Sequence, residues 1–365
     1  MLLAWIWLGC APSPSGEGAA TVDTAQSAGD TDPTPTGTND TSPPPDPTAG
    51  GTGDTVPGDS DDTGPDGTSD TGPTTWPTAS TADTGGFDCG TVPSPPLVST
   101  RITGPPASED FAFDDLGHLV SFQGTWVVRS LYPPGAVTPW VPTQGGPGGP
   151  ASIRRLPSGD FVYHDVDTGT LYRITAKGAP SVIFSGFGYA GGIEVFSDDL
   201  VYVVDLSGLQ LIDPGTGSQQ LLFAQAPWSS ANGVSLSADH GTLFVSARDG
   251  IWAVEVDVAG QPTGQPVLWA DPPKGASELL GMGVDRCDNV YVTGSANNVS
   301  TLWRYAAGGK GAPEVLLERS GGWLSNLQWG SGVGGWDPLV LYVVDRQAQN
   351  PGYDAVEVAV PEKLR

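Results

Sequence analysis

The chain is poor in cations and in long apolar runs, and each shortage excludes a class of partner. Its 365 residues include 15 Lys and Arg against 41 Asp and Glu, which gives a formal net charge of −26 at pH 7. Proteins bind nucleic acid through clustered cations that release counterions from phosphates. We therefore expect no nucleic-acid partner. No apolar run approaches the roughly 20 residues that a membrane-spanning helix needs, so we expect no such helix.

Cysteine and histidine are also scarce, with three residues of each. No His lies beside Cys10, Cys89 or Cys287 in the sequence, which argues against a zinc site and against a cysteine nucleophile. We predict a disulfide bond between Cys89 and Cys287, because an isolated pair of cysteines in an oxidising compartment is usually bonded. Two free thiols are the alternative.

Residues 1–10 form a short apolar run that ends in Gly9-Cys10 and is followed by polar sequence. This segment resembles a bacterial lipoprotein signal, in which the cysteine becomes the lipidated first residue of the mature chain. The resemblance implies lipidation at Cys10 and export to the cell envelope, in the outer membrane or the periplasm, with membrane contact only through the lipid. The run departs from the pattern because no Lys or Arg precedes it and Trp7 stands where Leu is usual. An apolar start without a signal function is the alternative.

Residues 11–87 are rich in Thr, Pro, Gly and Asp and contain no Lys or Arg. Such a segment has too few large apolar side chains to offset the entropy cost of ordering. We predict a disordered acidic linker that holds the folded part of the chain away from a membrane.

A repeated phrase dominates residues 88–365, and it consists of a short apolar strand, an Asp/Gly turn and a second apolar strand. A spacing of 40 to 49 residues is typical of a four-stranded propeller blade. We predict an all-β domain, a six-bladed β-propeller. The last copy has three clear strands, Leu324–Trp329, Val340–Asp345 and Ala355–Ala359, so we expect Leu97–Ile102 to add the fourth and close the ring. The copies begin near Glu109, Ala151, Gly191, Ala231, Leu280 and Ser325.

The phrases Asn232–Ser237, Leu280–Asp285 and Asn326–Gly330 resemble those of the gluconolactonase/regucalcin propellers. That resemblance implies a divalent cation at one mouth of the central channel, held by one Glu, two Asn and one Asp. The cation would polarise the carbonyl of a lactone, and the Asp would act as a base.

This sequence matches only part of that ligand set. Glu109 and Asn232 stand at two of the ligand positions, whereas Ala190 and Leu280 replace the other Asn and the Asp. Because Ca²⁺ usually takes six to eight oxygen ligands, we expect weak Ca²⁺ binding at most and no other cofactor. Glu194 and Glu278 are the nearby carboxylates that could substitute.

Two functions follow from this partial match. We favour an envelope-anchored propeller that binds a small molecule, a glycan or an envelope protein without catalysis. The alternative is a metal-dependent hydrolase of lactones or related esters. Aromatic side chains at a channel mouth suit a sugar or a peptide, so Trp323, Trp329 and Trp336 are candidate binding residues, with packing between blades as their alternative role.

Overall fold

The computed structural model describes residues 87–132, 135–145, 149–224, 228–347 and 351–363. Cys10 and the predicted signal, and the predicted linker up to residue 86, lie outside these ranges. Within the described ranges, no helix is both long and apolar enough to cross a membrane.

The described residues form six antiparallel sheets of four strands each, which confirms the predicted six-bladed propeller. A 3₁₀ helix at Cys89–Thr91 and strand β1 (Ser99–Ile102) precede the first blade. Blades one to three are β2 (Ala112–Phe113), β3 (Leu119–Gln123), β4 (Trp126–Ser130), β5 (Val137–Pro142); β6 (Pro150–Arg155), β7 (Phe161–Asp165), β8 (Thr170–Thr175), β9 (Gly178–Ser185); and β10 (Ala190–Ser197), β11 (Leu200–Asp205), β12 (Gly208–Ile212), β13 (Gln219–Ala224).

Blades four to six repeat the same meander. They are β14 (Gly233–Leu236), β15 (Thr242–Ala247), β16 (Gly250–Glu255), β17 (Val267–Ala270); β18 (Ala276–Val284), β19 (Val290–Ala296), β20 (Val299–Tyr305), β21 (Glu314–Ser320); and β22 (Leu324–Trp329), β23 (Val340–Asp345), β24 (Gly352–Glu357), with β1 as the fourth strand.

The ring closes as the sequence predicts, because β1 pairs with β24 in the last blade. Ser99 lies opposite Val356 and Ile102 lies opposite Tyr353. The predicted limits of the third strand in this blade were wrong, since the strand runs from Gly352 to Glu357 rather than from 355 to 359. Ala359 has a φ of 54°, a left-handed conformation that extended backbone does not adopt, so the strand ends before it.

The strands of a blade differ in how deeply they are buried. The first strands of neighbouring blades contact one another and surround the central axis. Strands β7, β12 and β22 are buried along their whole length, as expected for strands covered on both faces. The outermost strands are half exposed, as in β9 and β13. Side chains of adjacent blades share each core, for example Tyr202 with Val234.

The structure joins Cys89 and Cys287 in a disulfide bond, with the two Sγ atoms 2.03 Å apart and the Cα atoms 5.6 Å apart. Cys287 lies in the turn between β18 and β19. The bond therefore fastens the segment before β1 to blade five. We call the end of the channel where the first strands of the blades begin the upper mouth, and the end where they finish the lower mouth; Cys287 is on the lower side.

Candidate functional site at the upper mouth

Glu109 and Asn232 both lie at the upper mouth, just before β2 and β14. The Ser325 hydroxyl donates to the Glu109 carbonyl oxygen at 2.7 Å, which links blade six to blade one. The Asn232 N–H donates to the Ser246 carbonyl oxygen at 2.9 Å. The two residues belong to opposite blades of the ring, so they approach the mouth from opposite sides.

Register shifts at the starts of the inner strands shape this mouth. The pairing of β10 shifts between Ala190 and Gly192, and that of β18 shifts between Leu279 and Met282. Bulges of this kind bend a strand and re-aim its side chains. A Cβ on Gly191 would lie 2.5 Å from the Asn232 carbonyl oxygen, so only glycine allows the two inner strands to approach this closely.

Leu280 stands where the resemblance places an Asp, and it is buried. Its carbonyl oxygen accepts a hydrogen bond from the Ser246 hydroxyl at 2.6 Å. Leu280 therefore contributes packing and a bonded carbonyl to the mouth, and no carboxylate.

Glu109 is already paired, because its carboxylate forms an ion pair with Arg346, which follows β23. Burial lowers the pKa of Arg346. A cation at Glu109 would have to compete with this guanidinium. Among the described residues, no three His, Cys, Asp or Glu side chains are grouped so that they could hold a metal ion. The residues at the mouth therefore do not fit the divalent cation that the resemblance implies.

Glu278 brings a second carboxylate to the upper mouth. Burial raises its pKa, and the nearby Arg248 guanidinium opposes the rise. Burial also raises the pKa of Tyr189, and the Glu278 carboxylate raises it further. Tyr189 lies just before the first strand of blade three and Glu278 lies near the start of the first strand of blade five, so both are on the upper side of the ring.

Glu194, the other carboxylate considered as a substitute, lies farther down the channel. Its Oε1 accepts from the Lys363 ammonium at 2.6 Å. Glu194 is thus separated from the upper mouth and already has a cationic partner.

The three tryptophans do not form one surface. Trp336 is fully buried, packs against Phe113 and Tyr342, and donates from Nε1 to the Gly117 carbonyl oxygen at 2.9 Å. Trp329 is also buried and donates to the Val360 carbonyl oxygen at 2.8 Å. Trp323 is half-buried, and its Nε1 has no hydrogen-bond partner in the described part of the chain. Trp323 is therefore the least buried of the three, although its Nε1 atom is itself buried.

The interior of the channel contains a buried ion pair that sequence reasoning missed. Asp110 is fully buried and accepts from the N–H groups of Phe111 at 2.8 Å and Ile153 at 3.0 Å, and from the Arg154 guanidinium. Burial raises the pKa of Asp110, while Arg154 and these N–H groups oppose the rise. The sequence did contain a signal for this pair, because Asp110 and Arg154 are charged residues at positions of the repeated phrase that are otherwise apolar.

A cavity of about 210 Å³ opens at the lower mouth between blades one, two and six. Its polar lining combines both signs of charge, and its two arginines already have carboxylate partners. The charged and amide side chains that line it are Asp114, Asp115, Arg154, Arg155, Gln328 and Glu362.

No protein-family model and no curated protein matches the sequence. Solved structures do match, at low identity. A gluconolactonase from Xanthomonas campestris is 15% identical over 72% of this chain and 89% of its own, with a TM-score of 0.55. Regucalcin from Agrobacterium tumefaciens, a calcium-binding protein, is 15% identical over 74% of this chain and 96% of its own, with a TM-score of 0.54.

A luciferin-regenerating enzyme is similar in the same way, with 13% identity over 73% of this chain and 97% of its own and a TM-score of 0.54. At these identities the comparisons show the fold. The chain has the six-bladed propeller fold of gluconolactonase- and regucalcin-like proteins.

Proposed function

We propose that this protein is a hydrolase of lactones or related esters and that its site is the upper mouth. The observation that carries the proposal is Glu278, a half-buried carboxylate with a raised pKa, at the same mouth as Glu109 and Asn232. A carboxylate with a raised pKa is suited to act as a general base near neutral pH. The likeness to a gluconolactonase supports hydrolysis more than it supports a non-catalytic module.

In this proposal Glu278 is the general base. Its carboxylate takes a proton from a water molecule, whose oxygen attacks the carbonyl carbon of the lactone. The bond between that carbon and the ring oxygen then breaks, and the ring oxygen receives the proton from Glu278. The Arg248 guanidinium, which interacts with Glu278, would stabilise the negative charge on the carbonyl oxygen. No step passes through a metal ion, since the ligand set at the mouth does not fit one.

The test is a pH-stat assay of the purified chain against five- and six-membered lactones. We expect Glu278→Gln to lower the hydrolysis rate by roughly 10²-fold or more, the usual contribution of a general base. Glu318→Gln, on the exposed outer strand β21, is the matched control and should retain activity. Because burial raises the pKa of Glu278, activity should fall with decreasing pH at a midpoint above the ordinary range of a glutamate. Equal rates for the two variants would contradict the proposal.

Titration with Ca²⁺, Zn²⁺ and Mn²⁺ separates this mechanism from a metal-dependent one. We expect no micromolar affinity and no loss of hydrolysis in the presence of a chelator. The opposite outcome is micromolar metal binding, with turnover that depends on the metal and is abolished by Glu109→Gln. That outcome would show that a bound cation, and not Glu278, drives the reaction.

Binding without catalysis is the second candidate. The ion pair between Glu109 and Arg346 favours it, because a catalytic cation at Glu109 would have to compete with this guanidinium. In that case the upper mouth would hold a small molecule, a glycan or a segment of an envelope protein against Trp323. Ligand binding should then quench tryptophan fluorescence with no turnover, and Trp323→Ala should abolish the binding. Trp126→Ala, which removes an exposed tryptophan of blade one, is the control. Lactone turnover that depends on Glu278 would exclude this candidate.

We also propose that the chain works in the bacterial cell envelope, anchored through a lipid on Cys10. The resemblance of residues 1–10 to a lipoprotein signal supports this location, and so does the disulfide bond, because such bonds persist in oxidising compartments. Cells expressing the chain should incorporate labelled fatty acid into it, and Cys10→Ala should abolish both the label and sedimentation with membranes. Unlabelled wild-type chain in the cytoplasm would contradict the proposal.

A further inference from the structure

The segment that follows the last strand, Val358–Lys363, crosses the lower mouth of the channel. Trp329 donates from Nε1 to the Val360 carbonyl oxygen at 2.8 Å. The N–H of Arg286 donates to the Pro361 carbonyl oxygen at 3.1 Å. The N–H of Lys363 donates to the Val284 carbonyl oxygen at 3.4 Å. These bonds fasten the segment to the lower ends of blades five and six.

The segment directs the Lys363 side chain into the channel. Its ammonium donates to Glu194 Oε1 at 2.6 Å, to Ser235 Oγ at 3.0 Å and to the Leu236 carbonyl oxygen at 2.8 Å. The Lys363 residue is only 5% exposed. An ammonium group has three N–H donors and no acceptor, so the three oxygens can accept from all three donors. Asp288 is a second carboxylate near this ammonium, because Lys363 opposes the rise that burial causes in the pKa of Asp288. A buried cation is stable when it is both paired and hydrogen-bonded in this way.

The three oxygens belong to the rigid interior of the propeller and not to the segment that fills them. Glu194 lies in β10 and pairs with Tyr202, and Ser235 lies at the corresponding place in β14 and pairs with Phe244. Both strands have four-stranded sheets behind them and contact each other at the axis. The pocket is therefore organised by the blades, independently of Val358–Lys363.

We propose that the lower half of the channel is a binding site for an alkylammonium group and that the chain's own Lys363 occupies it in this conformation. One carboxylate and two neutral oxygens match the charge and the three donors of a primary ammonium. They match a calcium ion poorly, since Ca²⁺ takes six to eight oxygens. The segment Val358–Lys363 is thus an intramolecular ligand that closes the lower mouth, and a free alkylamine of the right length can take the place of its ammonium once the lysine side chain is removed.

The test removes the tethered ammonium and supplies a free one. Lys363→Ala deletes three methylene groups and the ammonium, which n-propylammonium replaces atom for atom. We expect n-propylammonium to raise the melting temperature of the variant and to bind it at least about tenfold more tightly than 1-propanol, because a buried carboxylate without a cation is strongly unfavourable. Tetramethylammonium, which has no N–H donor, should not replace it.

Two further comparisons make the outcome decisive. Lys363→Ala with Glu194→Gln should bind n-propylammonium and 1-propanol equally, and the wild-type chain should show no response to either at the same concentration. Equal effects of the two probes on Lys363→Ala, or greater stabilisation by Ca²⁺, would overturn the proposal. Should Lys363→Ala fail to fold, it is refolded with each probe. Recovery with n-propylammonium alone supports the site, and recovery with both or neither contradicts it. None of these readouts depends on Glu278 or on lactone hydrolysis.

Discussion

At the scale of single residues, His164 shows how a polar group is held inside the apolar wall of a blade. It is fully buried in β7, and its ring lies edge-on to Phe187. Neither ring nitrogen has a hydrogen-bond partner among the described residues. Burial lowers the pKa of His164 to about 4, and the Asp205 carboxylate only partly opposes this. The imidazole is therefore neutral in the folded chain at neutral pH.

This histidine makes the fold sensitive to acid. Its pKa is about 4 in the folded chain and 6.5 when exposed, so between these values the unfolded chain takes up a proton that the folded chain does not. The free energy of unfolding should therefore fall as pH drops below 6.5, by about 3 kcal/mol at pH 4 from this residue. Urea unfolding at pH 7, 5.5 and 4.5 measures the loss.

His164→Phe should remove this contribution while it preserves an aromatic contact with Phe187. The control is His240→Gln in the turn before β15, which should retain the acid sensitivity of the wild-type chain. Parallel stability curves for wild type and His164→Phe across this pH range would show that the acid sensitivity comes from other groups.

At the scale of strands, the repeated phrase was sufficient to predict the number of blades, because a strand–turn–strand pattern is local and its spacing fixes the size of each blade. The closing role of β1 also followed, since an incomplete last blade needs a partner strand. The limits of β24 did not follow, because the apolar run continues through Val358 and Val360 after the strand ends. Val358 is buried in the core shared by blades five and six, and Val360 is also buried, although neither belongs to a strand.

The site was less predictable from the sequence than the strands were. Glu109 and Asn232 precede first strands of two blades because of their places in the phrase, and the binding role expected of them stays a prediction. The other residues of the upper mouth, Tyr189, Arg248 and Arg346, come from turns of different blades, so no local spacing in the sequence brings them together. Bulges at the starts of β10 and β18 add residues that no alternating pattern reveals.

The closing strand also has an electrostatic attachment to the last blade. Arg101 in β1 contacts the buried carboxylates of Asp345 at 3.2 Å and Asp354 at 2.9 Å. Arg101→Met should lower the free energy of unfolding by about 2 kcal/mol, because it leaves a buried carboxylate less compensated, with Arg319 still paired to Asp354. Thermal unfolding monitored by circular dichroism measures the change.

The matched control is Arg155→Met, whose partner Asp115 is 73% exposed. An exposed pair of this kind contributes about 1 kcal/mol or less. A loss for Arg101→Met no larger than that of the control would mean that hydrogen bonding between β1 and β24, rather than charge, holds the ring closed.

At the scale of the whole propeller, the two ends of the channel differ in how they are closed. The lower side carries the disulfide bond at Cys287 and the segment Val358–Lys363, which fills the channel with its lysine. The upper mouth has the ion pair of Glu109 with Arg346, the carboxylate of Glu278 and the half-buried Trp323. The 3₁₀ helix at Cys89–Thr91, which the disulfide bond joins to Cys287, is therefore also on the lower side.

The disulfide bond should make a large contribution to stability, because it connects residues 198 apart in sequence. In the chain-entropy account, closing a loop of this length destabilises the unfolded state by about 5 kcal/mol, and measured values are commonly smaller. The double variant Cys89→Ala with Cys287→Ala should therefore unfold at a clearly lower denaturant concentration than the oxidised chain. A reducing agent should lower the midpoint of the wild-type chain to nearly that of the double variant, and it should leave the double variant unchanged. The six sheets do not depend on this bond for their pairing, so the double variant should keep the β-sheet circular dichroism of the wild type at low temperature. Loss of that spectrum would mean that the segment at Cys89 is needed for blade five to fold at all, and not only to secure it.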